Sequence, residues 1–187
     1  MELGIASFFL RCLLAVAVRI LFFKQMARIK KPELLQLIVE ALHNNLAVLE
    51  KAARAAHAEA THESSKAENK YDTRGLEAAY LAGGQARQAR EIQESIKVYT
   101  ALHLKEFGAT EPIDLSAVVE LETERTMGTY FIGPRSGGLE VEYEGAEITV
   151  ITPQSPLGQQ LMGKNTGQRW TANFNGARTT YRIVSVT

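Results

Sequence analysis

The feature that most constrains this chain is a change of hydrophobic period near residue 108, helical before it and strand-like after it. Upstream, Leu35, Ile38, Leu42, Leu46, Leu49, Ala53, Ala56 and Ala60 follow one another in steps of three or four, which puts them all along one helical stripe. Leu76, Ala79, Ala82, Ala86, Ala89, Ile92, Ile96 and Tyr99 make a second stripe of the same kind. Two such stripes joined by a polar segment predict an antiparallel helical hairpin. Each arm of about 28 residues would reach roughly 40 Å at 1.5 Å per residue. Pro32 suits the first turn of the first helix, where a missing N–H is no loss.

The seam changes character along its length. Close to the turn it is built from Ala53, Ala56 and Ala60 against Ala79, Ala82 and Gly83, so the axes are expected to approach closely there. That approach is also the expected reason for Gly83 and Gly84, each of which costs a helix about 1 kcal/mol relative to Ala, with a flexible joint as the alternative. At the other end Leu35, Ile38 and Leu42 can meet Ile92, Ile96 and Tyr99, which predicts a wide, well-packed base. The turn itself, Thr61 to Asp72, carries acids at Glu63, Glu68 and Asp72. Acids on a projecting tip suggest a probe rather than a pocket. His57 and His62 stand five apart, off the three-or-four spacing that aligns ligands on one helix face, so no dedicated zinc site is predicted.

After Phe107-Gly108, Thr110-Glu111-Pro112 reads as a linker. Alternating segments then follow at 117–121, 129–132, 139–143, 147–151, 168–174 and 180–186, separated by Gly133-Pro134, Ser136-Gly137-Gly138, Glu144-Gly145 and Asn175-Gly176. Asn-Gly between two alternating runs is a hairpin signal. Within this half, Ser155 can cap a short helix that Pro156 begins and Gly163 ends. Trp170, at a strand position, reads as core. The fold class is therefore α+β: an N-terminal antiparallel coiled-coil hairpin over 27–107, then a small, mostly antiparallel sheet domain with one short helix over 112–187.

The chain of 187 residues is 45% hydrophobic and carries 21 basic and 21 acidic residues, a formal net charge of zero. That balance excludes a protein held to nucleic acid by its own basic surface, which needs a clear excess of Lys and Arg. The one cysteine, Cys12, excludes an internal disulfide and a cysteine-based zinc site and fits a reducing, cytoplasmic setting. Residues 1–26 are apolar but interrupted by Arg11 and Arg19. A charged residue at a helix centre costs about 2.5 to 3.5 kcal/mol on insertion scales, so no transmembrane helix is predicted. No basic n-region opens the segment and no small-residue cleavage pattern follows it, so a signal peptide is not predicted either. It reads as a mis-called start preceding Met26, with a membrane-surface helix and a packed extension as the alternatives.

Two segments carry a family resemblance. Glu68-Asn69 near Tyr71 at the tip, and Ser155-Pro156-Leu157-Gly158 followed by Leu161, Gly163, Lys164 and Gly167, together resemble the GreA/GreB transcript cleavage factors over roughly residues 27 to 187. The resemblance implies an FKBP-like sheet domain that grips bacterial RNA polymerase through Ser155, Pro156, Leu157 and Gly158. It also implies a hairpin that enters the polymerase secondary channel, with Glu63, Glu68, Asn69 and Asp72 as tip residues. On this reading Glu68, aided by Glu63 or Asp72, would help hold the polymerase's own magnesium and an attacking water and so promote cleavage of backtracked RNA. Magnesium prefers one or two carboxylates and keeps several waters, which suits that role. The position three before Glu68 is Ser65, where the family carries Asp. The protein is then an accessory factor rather than an enzyme, a monomer with no cofactor of its own, reaching nucleic acid only through the transcription complex. An inhibitor that fills the channel without promoting cleavage, and a membrane-associated structural adaptor, are the alternatives.

Overall fold

Both arms form where the stripes put them, as α1 (Lys31–Thr61) and α2 (Arg74–Thr100), and six strands with one short helix follow. The computed structural model describes residues 29–61, 74–108, 110–124, 126–174 and 177–187. Residues 1–26, the tip acids and Asn175-Gly176 lie outside the described residues.

At the start of α1, the Leu34 amide donates to the Lys30 carbonyl at 3.0 Å, and Glu33 sits in the first turn, where a negative charge suits the helix dipole. Leu34, Ile38 and Leu42 of α1 share one buried cluster with Tyr99 at the end of α2, so the arms run antiparallel. Leu34 is fully buried and Leu35 only partly, a shift from the stripe read in the sequence. The base of α1 has two neighbours to satisfy, α2 and the sheet, and Leu34, Leu35, Leu37, Ile38, Val39, Ala41 and Leu42 all join or pack against this cluster.

The outer half departs from expectation more sharply. A Cβ added at Gly83 or Gly84 would meet nothing within 4 Å, so close helix approach does not explain either glycine. Ala86 is exposed, whereas Gln85 is half-buried with its Oε1 shut away from water and without a partner. The seam there steps Ala82, Gln85, Ala89, Ile92, Ile96, Tyr99. Reading for apolar residues alone passes over the glutamine.

The strands β1 (Val118–Glu122), β2 (Met127–Ile132), β3 (Glu140–Tyr143), β4 (Ala146–Ile151), β5 (Arg169–Phe174) and β6 (Ala177–Val186) form one sheet in the order β3-β4-β2-β1-β6-β5. All neighbours are antiparallel except β2 and β4, which run parallel because the chain steps out to the edge as β3 before returning inward. Glu144 and Gly145 both have positive φ (49° and 82°), as the tight two-residue turn between β3 and β4 requires. A six-residue helix, α3 (Pro156–Leu161), connects β4 to β5.

Strict alternation predicts one buried face, but both faces are covered. Val118, Phe131, Val141, Tyr143, Ile148 and Val150 pack with the hairpin base, while Val119, Leu121, Ile132, Ile151, Ile183 and Val186 pack with Leu161 of α3 and with Phe107 and Ile113 from the segment between α2 and β1. The apolar doublets Val118-Val119, Phe131-Ile132 and Val150-Ile151 send one side chain to each side, the signature of a sheet buried on both faces. Two polar residues are buried in this sheet, Thr129 and its register partner Glu120. Glu120 Oε2 accepts from Ser185 Oγ at 2.9 Å, while Oε1 is buried without a partner. Burial pushes this carboxyl above the usual range, and the Ser185 hydrogen bond opposes the shift.

Candidate partner-contact site

The segment that links β4 to α3 is shaped by three local demands. Ser155 is the N-cap: its Oγ accepts from the Gly158 amide at 3.0 Å and donates to the Thr152 carbonyl at 2.8 Å. Pro156 occupies the first turn, where its ring fits the helix and its missing N–H is not needed. Gly158 is buried, and a Cβ there would lie 1.9 Å from the Thr152 carbonyl oxygen, so only glycine lets the helix sit this close to the end of β4. The helix closes with Gly163 at φ 76°, whose amide donates to the Ile113 carbonyl at 2.9 Å.

These facts divide the four predicted contact residues. Ser155 and Gly158 are accounted for by capping and by close approach, and Leu157 is half-buried against the core beneath α3. Pro156 is exposed, and with Gln154, Gln159 and Gln160 it makes the outward surface of this turn. The structure therefore brings the four together on one short element, with a single one of them wholly outward. The predicted tip residues Glu63, Glu68, Asn69 and Asp72 lie outside the described residues. No group of three or more His, Cys, Asp or Glu side chains is arranged to hold a metal among the described residues.

Sequence reasoning missed the joint between hairpin and sheet. Tyr143 at the end of β3 donates from its hydroxyl to Glu33 Oε2 at 2.8 Å and accepts from the Lys30 amide at 3.3 Å. Lys30 Nζ holds the other Glu33 oxygen at 2.7 Å, and the hydrogen bonds from Lys30 and then Tyr143 lower the Glu33 carboxyl pKa. From the other arm, Tyr99 donates to the Arg135 carbonyl at 2.6 Å. Lys31 is buried, donates to the Lys105 carbonyl and lies 4.6 Å from the Phe107 ring centroid, with Lys105 Nζ 4.9 Å from the same ring. Burial pushes the Lys31 ammonium below its ordinary value. The available signal was the pair of tyrosines ending two amphipathic elements, since a buried phenol must find a hydrogen-bond partner.

Trp170 is half-buried and stacks on Tyr181 with ring centroids 5.3 Å apart, consistent with a packing role. No helix among the described residues is long and apolar enough to cross a membrane.

No curated protein matches the chain in sequence. Among solved structures, the GreA factor homolog 1 (Gfh1) protein of Thermus thermophilus is similar at 23% identity, covering 80% of this chain and 94% of that one with a TM-score of 0.34. Thermus aquaticus Gfh1 is similar at 26% identity, covering 79% and 92% with a TM-score of 0.33. A GreA/GreB elongation factor from Nitrosomonas europaea is similar at 18% identity, covering 51% and 78% with a TM-score of 0.30. Residues 111–187 match the family described as "Transcription elongation factor, GreA/GreB, C-term". That stretch holds all six strands and α3, so it is the sheet domain that matches the GreA/GreB C-terminal family.

Proposed function

We propose that this protein docks on bacterial RNA polymerase through its sheet domain and extends the helical hairpin into the secondary channel, where the tip acids act on backtracked RNA. The observation that carries the reading is the joining of a GreA/GreB C-terminal domain to a long hairpin whose base shares a core with that domain. Such a joint lets force and position pass from a gripping domain to a distant tip. Docking would use the outward surface of Pro156 with the exposed edge of Leu157. Glu68, with Glu63 or Asp72, would supply oxygen ligands to the polymerase's magnesium, and the polymerase would supply the rest of the chemistry. The protein would thus be a cytoplasmic accessory factor, without a catalytic centre of its own.

The presence of Ser65 at a position where the family has Asp favours a second reading, occupancy of the channel without stimulation. Backtracked transcription complexes distinguish the two. Stimulated release of short 3′ RNA fragments, lost in Glu68→Gln, supports the first. No stimulation, combined with competition against an active cleavage factor, supports the second. Absence of binding to core polymerase refutes both.

A further inference from the structure

Two helices leave the sheet together, and each is tied down at its own root. At the end of α2, Tyr99 is fully buried and its hydroxyl reaches the Arg135 carbonyl at 2.6 Å, in the loop after β2. That reach depends on Gly133. A Cβ at Gly133 would lie 2.1 Å from the Tyr99 hydroxyl oxygen, 3.1 Å from Cζ and 2.9 Å from Val150 Cγ1. At the start of α1, the second tie runs from Tyr143 to Glu33 and to the Lys30 amide. The first tie ends on the loop after β2 and the second on the edge strand β3.

The shared apolar core holds the base against the sheet without directional bonds, whereas two hydrogen-bonded ties, on different helices and different parts of the sheet, fix a direction. We propose that Tyr99 and Tyr143 are positioning residues, a two-point clamp that sets the direction of the hairpin relative to the sheet domain. The geometric claim stands by itself, and its functional consequence rests on the channel reading above. A helix the length of α1 is a lever of about 45 Å, so a tilt of about 5° displaces its far end by about 4 Å. Groups that must meet a metal-bound water lose about a hundredfold in rate when misplaced by roughly 1 Å. A swing that leaves docking untouched would therefore abolish an effect exerted at the tip.

The test uses the full chain with Cys12→Ser, spin-labelled at Arg54→Cys on exposed α1 and at Thr171→Cys on exposed β5. Pulsed electron resonance then reads the distance distribution across the joint. The parent should give one narrow distribution. Tyr99→Phe, which removes a single oxygen, should broaden it, and Gly133→Ala should shift or broaden it further. Adding Tyr99→Phe to Gly133→Ala should return the distribution toward that of Tyr99→Phe alone, because the closest clash is with the hydroxyl. Tyr143→Phe should broaden it independently. Superimposable distributions for all the variants would overturn the clamp, as would a double variant worse than Gly133→Ala.

Transcription assays separate the clamp from the channel reading. Tyr99→Phe should keep its affinity for core polymerase within about twofold while its stimulation of cleavage in backtracked complexes falls about tenfold or more. An equal fall in affinity would make Tyr99 a docking or folding residue instead. If the parent itself does not bind polymerase, the channel reading fails, and the distance measurements still decide the clamp.

Discussion

The base and the outer half of the hairpin belong to the same two helices, yet they are built on opposite terms. At the base, Leu34, Ile38, Leu42 and Tyr99 are buried in a core that includes five sheet residues besides Tyr143. Farther out the described seam is mostly Ala53, Ala56, Ala82 and Ala89, with Gln85 half-buried among them. Tyr80 and Leu81 stand exposed there at 74% and 57%. Gly83 and Gly84 interrupt α2 without a packing reason. Because buried apolar area is the main source of stability, the base should be held with the free energy of the whole fold and the outer half with much less. The difference teaches that the hairpin is anchored through the sheet, and that its length is not matched by its packing.

The strongest way to break this comparison is Ile38→Ala. Removing a fully buried isoleucine side chain typically costs about 2 to 5 kcal/mol. Ile38 sits in the shared core, so helix loss followed by circular dichroism and sheet loss followed by Trp170 fluorescence should move to lower denaturant together. A fall in the helical signal alone, with Trp170 unmoved, would show the hairpin to be an independent unit and the shared core to be energetically idle.

A second, smaller effect concerns the face that the hairpin base covers. Glu120 is an acid whose pKa is raised by burial, so its native state holds the proton at pH values where the unfolded chain has lost it. Its contribution is fully present below the ordinary carboxylate range and is lost as pH rises through the raised value. Glu120→Gln should therefore gain stability over the parent as pH rises from about 4 to 8, by about 1 to 3 kcal/mol, the usual cost of a buried polar group left unpaired. Urea midpoints of both proteins at several pH values measure it. Parallel curves would place the ionised carboxylate in contact with water.

The smallest effects sharpen the description of the outer half. Gly83→Ala and Gly84→Ala should each add about 1 kcal/mol of helix stability, since the new methyl groups meet nothing. Amide exchange should slow between residues 77 and 90 while exchange in β1, β2 and β4 stays unchanged. If slowing reached the sheet, the two halves would be one cooperative unit after all.

How much of this was legible beforehand follows from the kind of signal each feature leaves. The two arms, the turn signals and the capped α3 are local, written in residues a few positions apart, and each strand formed within a few residues of its expected span. Ser155, Pro156 and Gly163 act on neighbouring backbone, so their roles could be read without a fold. Nothing in the sequence marks Glu120 as buried, because its burial depends on what lies over the sheet. Gln85 was missed because a stripe drawn through apolar residues steps around a polar one.

By itself the sequence determined the order of a helical hairpin and a sheet, the places where the chain turns, and the family resemblance carried by Glu68-Asn69 and by residues 155 to 167. Period, capping and turn chemistry act over a few residues, so they survive reading in one dimension. Only the tertiary structure decided that both faces of the sheet are covered, that the hairpin base supplies one of those covers, and that Tyr99, Gly133, Tyr143 and Glu33 meet across it. Tyr143 and Glu33 stand 110 residues apart in the chain and 2.8 Å apart in space. A contact of that kind is selected by packing two surfaces together, and no spacing along the chain encodes it.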